Sequence, residues 1–151
     1  MVALYKPRDS REYVMDKVLE DLTFASTYCL ADAKYTKGSA LINKWVALAF
    51  KSRVCLYEGT FRKYHGIADE TIDGVTISAD YFLQLAADAA WAVMEQNKYS
   101  LYKGNTLKLD APYREYFILE DGDAKETILS MRFNADILVR HGIQFLSLIH
   151  I

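Results

Sequence analysis

The chain has 151 residues, of which 52% are apolar and 25% charged, and its formal net charge is −2. A chain of this length suggests one domain or part of one, with enough apolar residues to bury a core. The near-zero charge argues against a nucleic-acid partner, because that interface needs a clustered basic face. We find no signal peptide, no lipid-attachment cysteine near the start and no apolar run of membrane-spanning length.

The first predicted element is an amphipathic helix over residues 10–28, with Asp9 or Ser10 as its N-cap. A short connection, residues 30–35, should make the next helix its antiparallel neighbour. The apolar stripe of the first helix comprises Val14, Met15, Val18, Leu19, Leu22 and Ala25. The remaining face is largely charged and should be solvated, including Asp16, Glu20 and Asp21.

A long helix over residues 36–64 is the predicted centre of the fold, with Thr36 as its N-cap. It is apolar nearly all round, which is typical of a buried helix with neighbours on most sides. Lys37, Lys44 and Lys51 lie within about 40° of one another on the helix, so we expect them to form its only solvent-facing edge.

Arg53 lies about 160° round this helix from Lys37, on the side predicted to be buried. A guanidinium does not lose its proton on burial and therefore needs an anionic or carbonyl partner. The candidates on the neighbouring helices are Asp21 and Asp88. We interpret this group as a structural ion pair, and a ligand contact is the alternative.

The next segment, residues 67–78, is predicted to be a polar loop that contains a glycine. A third helix should follow from Ser78 or Ala79 through Gln96. Its predicted apolar face comprises Phe82, Leu85, Ala86, Ala89, Val93 and Met94. Its predicted polar face comprises Asp80, Gln84, Asp88 and Glu95.

The last third of the sequence changes character after Asn97. Residues 112–117 suggest a short helix with proline in its first turn, and residues 120–123 a turn. Residues 126–133 alternate as a strand does. The apolar tail, residues 143–151, is interpreted as a non-native assembly scar, with a genuine terminal strand as the alternative.

The motifs of the long helix resemble those of the SusD/RagB family of nutrient-uptake outer-membrane lipoproteins. Thr36-Lys37-Gly38-Ser39-Ala40 is similar to the opening of the family's core helix. Its centre is matched by Ala49, Lys51, Arg53, Val54, Leu56 and Tyr57. The flanking helices and the later EDGDAKETILSMRF segment follow in the same order, so the resemblance covers about residues 5–137. Gln96-Asn97 departs from the Gly or Asp-Gly expected before the last turn, and Trp45 and Phe50 are bulkier than the usual alanines.

The resemblance implies a mostly α fold, a tetratricopeptide-like antiparallel helical array with a short strand near the C-terminus. It implies an internal fragment of a longer protein at the outer face of the outer membrane, whose lipid anchor is absent from the fragment. The implied function is non-enzymatic capture of an oligosaccharide or other nutrient for a SusC-like TonB-dependent transporter. A tetratricopeptide-like scaffold for protein contacts is the first alternative, and an all-α glycan-active enzyme with two facing carboxylates is the second.

Few residues suggest a chemical site. The histidines, His65, His141 and His150, lack a second ligand at metal-binding spacing, and we expect neither a metal nor a cofactor. Aromatic residues on or beside loops could stack on sugar rings, although packing at a helix end is the alternative for each. These glycan-contact candidates are Tyr64, His65, Tyr102 and Tyr113.

Overall fold

The computed structural model describes residues 7–31, 41–72, 74–104, 111–119, 123 and 125–130. Helices make up 62% of this part of the chain, which confirms the mostly α prediction. The chain divides into two compact units: residues 1–31 with 43–97 form unit 1, and residues 32–42 with 98–151 form unit 2. None of the described helices combines the length and the apolar character needed to cross a membrane.

Helix α1, Arg11–Tyr28, begins where the sequence predicts it to begin. The hydroxyl of Ser10 caps it by accepting a hydrogen bond from the Tyr13 backbone N–H at 3.2 Å. No residue of α1 is fully buried, and Val14 of the predicted apolar stripe is 47% exposed. The helix is therefore an outer element of unit 1.

Helix α2, Lys44–His65, has Asn43 as its N-cap. The Asn43 side chain accepts hydrogen bonds from the backbone N–H groups of Trp45 and Val46 at 2.9 and 3.1 Å. Trp45 is buried in this first turn. Residues 41–43 are not helical, so the prediction of a continuous helix from residue 36 is wrong there. Residues 36–40, including the predicted cap Thr36, lie outside the described residues.

Residues 67–78 were predicted to be a loop, but they contain an antiparallel β-hairpin. Strand β1, Glu70–Ile72, pairs with β2, Val75–Ile77, with Glu70 opposite Ile77 and Ile72 opposite Val75. Gly74 has a φ of 80°, which a residue without a side chain adopts readily in a tight hairpin turn. The sequence signal was the Asp73-Gly74 dipeptide between apolar and threonine residues.

Helix α3, Ala79–Met94, is capped by Ser78, whose hydroxyl accepts from the Tyr81 backbone N–H at 3.1 Å. The residues of the predicted apolar face are buried or half-buried, except Met94 at its end, which is 59% exposed. The predicted polar residues are all exposed, and so is Trp91 at 64%. Asn97 follows with a φ of 50°, the left-handed conformation that asparagine tolerates better than most residues.

Helix α2 packs between α1 and α3 and runs antiparallel to both. Lys51 Nζ donates to Thr23 Oγ1 at 3.0 Å, and seven residues later Glu58 binds Arg11 near the start of α1. On the other side, Ser52 Oγ donates to the Ala86 carbonyl at 2.8 Å. Gly59 lies so close to α3 that an added Cβ would stand 2.8 Å from Leu83 Cγ. A small core of Cys55, Phe82 and Ala86 lies at this contact, packed by Leu19, Ile77, Tyr81 and Leu85.

The prediction that α2 is surrounded on most sides is wrong for the described part of the chain. Neighbours cover two sides, and the third is exposed: Phe50, Arg53, Leu56, Tyr57 and Tyr64 lie there. Lys51 is not on that side, because its ammonium reaches Thr23 of α1. A lysine buries its aliphatic stem while its charge stays at the surface, so the lysine stripe identified the wrong edge of the helix.

Unit 2 contains helix α4, Ala111–Ile118, at the site of the predicted short helix. Residues 126–130 adopt turns and irregular chain, so the predicted strand is wrong in its described part. The strand pair that the structure describes lies at residues 70–77. Residues 131–151, including the suspected scar at 143–151, lie outside the described residues.

Candidate functional site

Unit 1 contains a cluster of three charges, of which Glu58 and Arg62 are buried and Arg11 is partly exposed. Arg11 Nη1 and Nη2 donate to the two carboxylate oxygens of Glu58 at 2.7 and 2.5 Å, and Arg62 Nε donates to Oε1 at 2.8 Å. Glu58 is 0% exposed and Arg62 is 2% exposed. Burial raises the pKa of Glu58, but the hydrogen bonds from Arg11 and Arg62 outweigh burial and hold that pKa below its usual value. The carboxylate therefore stays charged while buried, which is typical of a structural site.

Aromatic rings complete this charge cluster. The Arg11 guanidinium lies 3.9 Å from the centre of the Phe61 ring, and that of Arg62 lies 5.1 Å from the Phe82 ring. Both distances allow a cation–π attraction. The cluster therefore joins α1, α2 and α3 through two arginines.

The predicted ion pair of Arg53 with Asp21 or Asp88 does not form. Arg53 and Asp21 are exposed, and the Asp88 carboxylate accepts from the Gln84 amide at 2.8 Å instead. The reason for expecting a pair was burial of Arg53, and this residue faces solvent on the open side of α2. The buried arginine of the helix is Arg62, and its partner lies one turn earlier on the same helix.

A small cavity of about 20 Å³ lies beside this cluster. Arg62 Nη1 makes no hydrogen bond to any described residue, and it borders the cavity together with Glu12, Asp16 and Glu70. Pockets that take organic ligands measure about 300–1,000 Å³, so no sugar ring fits here. Asp16, Glu20 and Asp21 are all exposed on α1, as predicted for solvated carboxylates.

Two of the four glycan-contact candidates, Tyr64 and His65, lie at the end of α2. His65 stacks on Phe61 with ring centres 4.1 Å apart, and its Nδ1 donates to the Phe61 carbonyl at 2.9 Å. Tyr64 is 84% exposed. Neither residue lines the 20 Å³ cavity or the cleft of unit 2, and His65 is held by packing at the helix end.

The other two candidates, Tyr102 and Tyr113, lie together in an open cleft of about 360 Å³ in unit 2. Pro112, Tyr113, Tyr116 and Phe117 border the cleft and follow one face of α4. The other described residues that line it are Leu101, Tyr102 and Glu126. Its volume lies within the range of ligand pockets.

The cleft is built largely of aromatic rings in mutual contact. The centres of the Tyr113 and Phe117 rings are 4.9 Å apart, and those of Tyr102 and Tyr116 are 5.9 Å apart. Tyr116 and Phe117 meet edge to face at 5.3 Å and 87°. Tyr113 and Phe117 remain 75% and 66% exposed, so their faces are accessible to a ligand.

Hydrogen bonds join residues 100–102 and α4 to residues 123–127 of unit 2 and hold the wall of this cleft. Ser100 N–H donates to the Lys125 carbonyl at 2.9 Å, and the Tyr102 backbone N–H donates to the Glu126 carboxylate. Tyr116 Oη and Thr127 Oγ1 share a hydrogen bond of 2.9 Å. Asp123 Oδ2 accepts from the backbone N–H groups of Lys125 and Glu126 at 2.8 and 2.9 Å.

The sequence analysis did not identify Tyr116, Phe117 or Glu126 as site residues. The spacing of Tyr113, Tyr116 and Phe117 by three and four positions was a usable signal, because it places all three rings on one helical face. The role of Glu126 had no such signal, since it depends on a contact with Tyr102, 24 residues away. Among the described residues, no group of three or more His, Cys, Asp or Glu side chains could hold a metal ion.

Three comparisons with known proteins found no similar protein. No family model, no curated protein and no solved structure matches the chain. The aromatic cleft of unit 2 and the motifs of the sequence are therefore the basis for assigning a function.

Proposed function

We propose that this chain is part of a non-catalytic cell-surface protein that binds an oligosaccharide or other nutrient. It delivers this ligand to a SusC-like TonB-dependent transporter in the outer membrane. The proposal is supported by the resemblance of residues 5–137 to the SusD/RagB family.

The observation that carries the proposal is the aromatic cleft of unit 2. Sugar rings bind proteins by laying their C–H faces on exposed aromatic faces, and Tyr113 and Phe117 offer such faces. The phenolic groups of Tyr102 and Tyr113 add polar atoms that can orient a hydroxyl-rich ligand. No facing pair of carboxylates accompanies them among the described lining residues, which favours capture over hydrolysis.

The antiparallel packing of α1, α2 and α3 is consistent with a tetratricopeptide-like array, the finer fold that the resemblance implies. In such an array each helix pair packs only on its neighbours, and loops and appended segments carry the binding residues. On this proposal unit 1 is the scaffold and unit 2 contributes ligand contacts.

Titration calorimetry with a panel of neutral and charged oligosaccharides tests the proposal. Tyr113→Ala should weaken binding about tenfold or more, because loss of one stacking platform removes apolar contact with the sugar. The matched control is Tyr64→Ala, which removes a helical tyrosine of unit 1 that is 84% exposed, against 75% for Tyr113. Equal losses in both variants, or no saccharide binding at all, would contradict the proposal.

A scaffold for protein contacts is the second candidate, and the open side of α2 favours it. Phe50, Leu56 and Tyr57 are 55%, 53% and 65% exposed there. Exposed apolar side chains in a group often mark protein contacts. This alternative predicts no saccharide binding in the same panel.

A further inference from the structure

Building on the proposed function, we propose that the unit 2 cleft selects saccharides that carry a positive charge, such as amino sugars with a protonated amine. Glu126 supplies the negative charge, and the surrounding aromatic faces supply a second attraction for the same cation. The inference extends the proposed function, because it assumes that this cleft binds saccharides.

Glu126 is the only residue with a formally charged side chain among the described residues that line the cleft. It is half-buried, so its charge is less screened by water than that of a fully exposed carboxylate. Uncharged polar groups would suffice for a neutral sugar. A lone carboxylate in an otherwise apolar and aromatic lining is better matched by a cationic ligand.

The structure fixes the Glu126 carboxylate from two directions. Its Oε2 accepts the backbone N–H of Tyr102, and its own backbone N–H donates to Asp123 at 2.9 Å. Its Oε1 accepts no hydrogen bond from any described residue, so one oxygen is available to an ammonium group. Because the side chain is already held in place, a ligand does not have to order it on binding.

The aromatic rings around Glu126 also favour a cationic ligand. The face of an aromatic ring carries partial negative charge and attracts a cation within about 6 Å of its centre. Tyr102, Tyr113, Tyr116 and Phe117 all border the cleft that Glu126 lines. An ammonium bound at the carboxylate therefore has π faces as its other neighbours.

Among the described residues, the basic side chains near the cleft in sequence do not line it. Lys103, Arg114 and Lys125 are exposed, and none of them lines the cleft. Arg114 lies between two lining residues of α4, but the helical rotation directs it away from the face that Tyr113 and Tyr116 share. The charge of the described lining is therefore negative, which disfavours sulfated sugars and uronic acids.

The test compares two tetrasaccharides that differ in one respect: β-1,4-linked glucosamine and its fully N-acetylated counterpart. Calorimetry on the full chain is done under mildly acidic conditions, where the sugar amines are protonated. We expect the cationic tetrasaccharide to bind about tenfold more tightly at low salt. High salt should reduce this ratio, because the charge–charge part of the attraction is screened.

Glu126→Gln should bring the affinity ratio close to one, because glutamine can still accept the Tyr102 N–H but carries no charge. The matched control is Glu115→Gln, which removes a charge from a residue of α4 that does not line the cleft and should preserve the ratio. If Glu126→Gln fails to fold, the salt dependence of the unaltered chain decides the question.

The outcomes distinguish this inference from the proposed function. Equal affinity of the two tetrasaccharides, or a ratio that Glu126→Gln or salt leaves intact, overturns the charge selection and leaves saccharide capture standing. Binding of other neutral glycans but of neither tetrasaccharide also overturns the charge selection and leaves saccharide capture standing. Failure to bind any saccharide overturns the proposed function and this inference with it.

Discussion

Unit 1 and unit 2 each hold a glutamate carboxylate with hydrogen bonds, but they bury it to different extents. Among the described residues, every buried one belongs to unit 1 except Thr127. In unit 1 the Glu58 carboxylate is buried and accepts hydrogen bonds from two arginines. In unit 2 the Glu126 carboxylate is half-buried, and its Oε1 accepts no hydrogen bond from a described residue. Unit 1 therefore uses its carboxylate in internal contacts, whereas unit 2 leaves one carboxylate oxygen accessible, as the proposed ligand site requires.

The strongest test of this contrast is Glu58→Ala. Removing the carboxylate leaves Arg62 buried without its anionic partner, and loss of one member of a buried ion pair costs about 3–5 kcal/mol. We expect the free energy of unfolding, measured by urea titration, to fall by that amount. The control, Glu20→Ala, breaks the exposed contact with Lys17 and should cause no measurable change. Equal stability of the two variants would show that the charge cluster is dispensable.

A smaller effect is expected in unit 2 from Tyr116→Phe. This change removes the hydrogen bond between Tyr116 Oη and Thr127 Oγ1, and Thr127 is buried. The expected loss is about 1 kcal/mol in the free energy of unfolding. Tyr113→Phe is the control, because the Tyr113 hydroxyl makes no hydrogen bond to a described residue. A loss as large as that of Glu58→Ala would contradict the view that unit 2 contributes less to stability.

Mild acid should have the smallest effect. The pKa of Glu58 is lower in the folded chain than its unfolded value of about 4.5, so the folded state favours the charged form. This stabilisation is fully present above the unfolded pKa and is lost as the pH falls through the folded pKa. At pH 4 the loss from this group is less than about 1 kcal/mol.

Urea titrations from neutral to acid pH on the wild-type chain and on Glu58→Gln isolate this contribution. The stability of the wild-type chain should fall more steeply below about pH 4.5 than that of the variant. Parallel profiles would mean that the two arginines do not hold the pKa of Glu58 low.

Local sequence signals gave the starts of α1 and α3 correctly, but they missed the start of α2, whose cap is Asn43. Ser10 and Ser78 open α1 and α3 as predicted, because their hydroxyls satisfy N–H groups that the first helical turn leaves free. The apolar face of α3 was also predicted, since its period matches the helix repeat. These features depend on residues within one or two turns of each other.

Features that depend on distant contacts were missed. The sequence favoured Arg53 as the buried arginine because the lysine stripe was taken as the exposed edge of α2. In the structure Lys51 contacts Thr23 of α1, so the lysine edge faces α1 and Arg53 faces solvent. Glu58 gave no sign of burial, because a glutamate in a helix is usually solvated.

In the candidate site, two of the four proposed aromatic residues line the cleft, and its carboxylate was not predicted. The hairpin at Asp73-Gly74 is different, since its local signal was present and was read as a loop.

The two tryptophans of unit 1 have an optical consequence. Trp45 is 5% exposed in the first turn of α2, and Trp91 is 64% exposed on α3. An indole shielded from water emits at shorter wavelength than a hydrated one, and a dissolved quencher reaches only the latter. The fluorescence of the chain therefore has one component that reports helix packing and another that reports the surface, so substituting either tryptophan by phenylalanine would isolate one signal from the other.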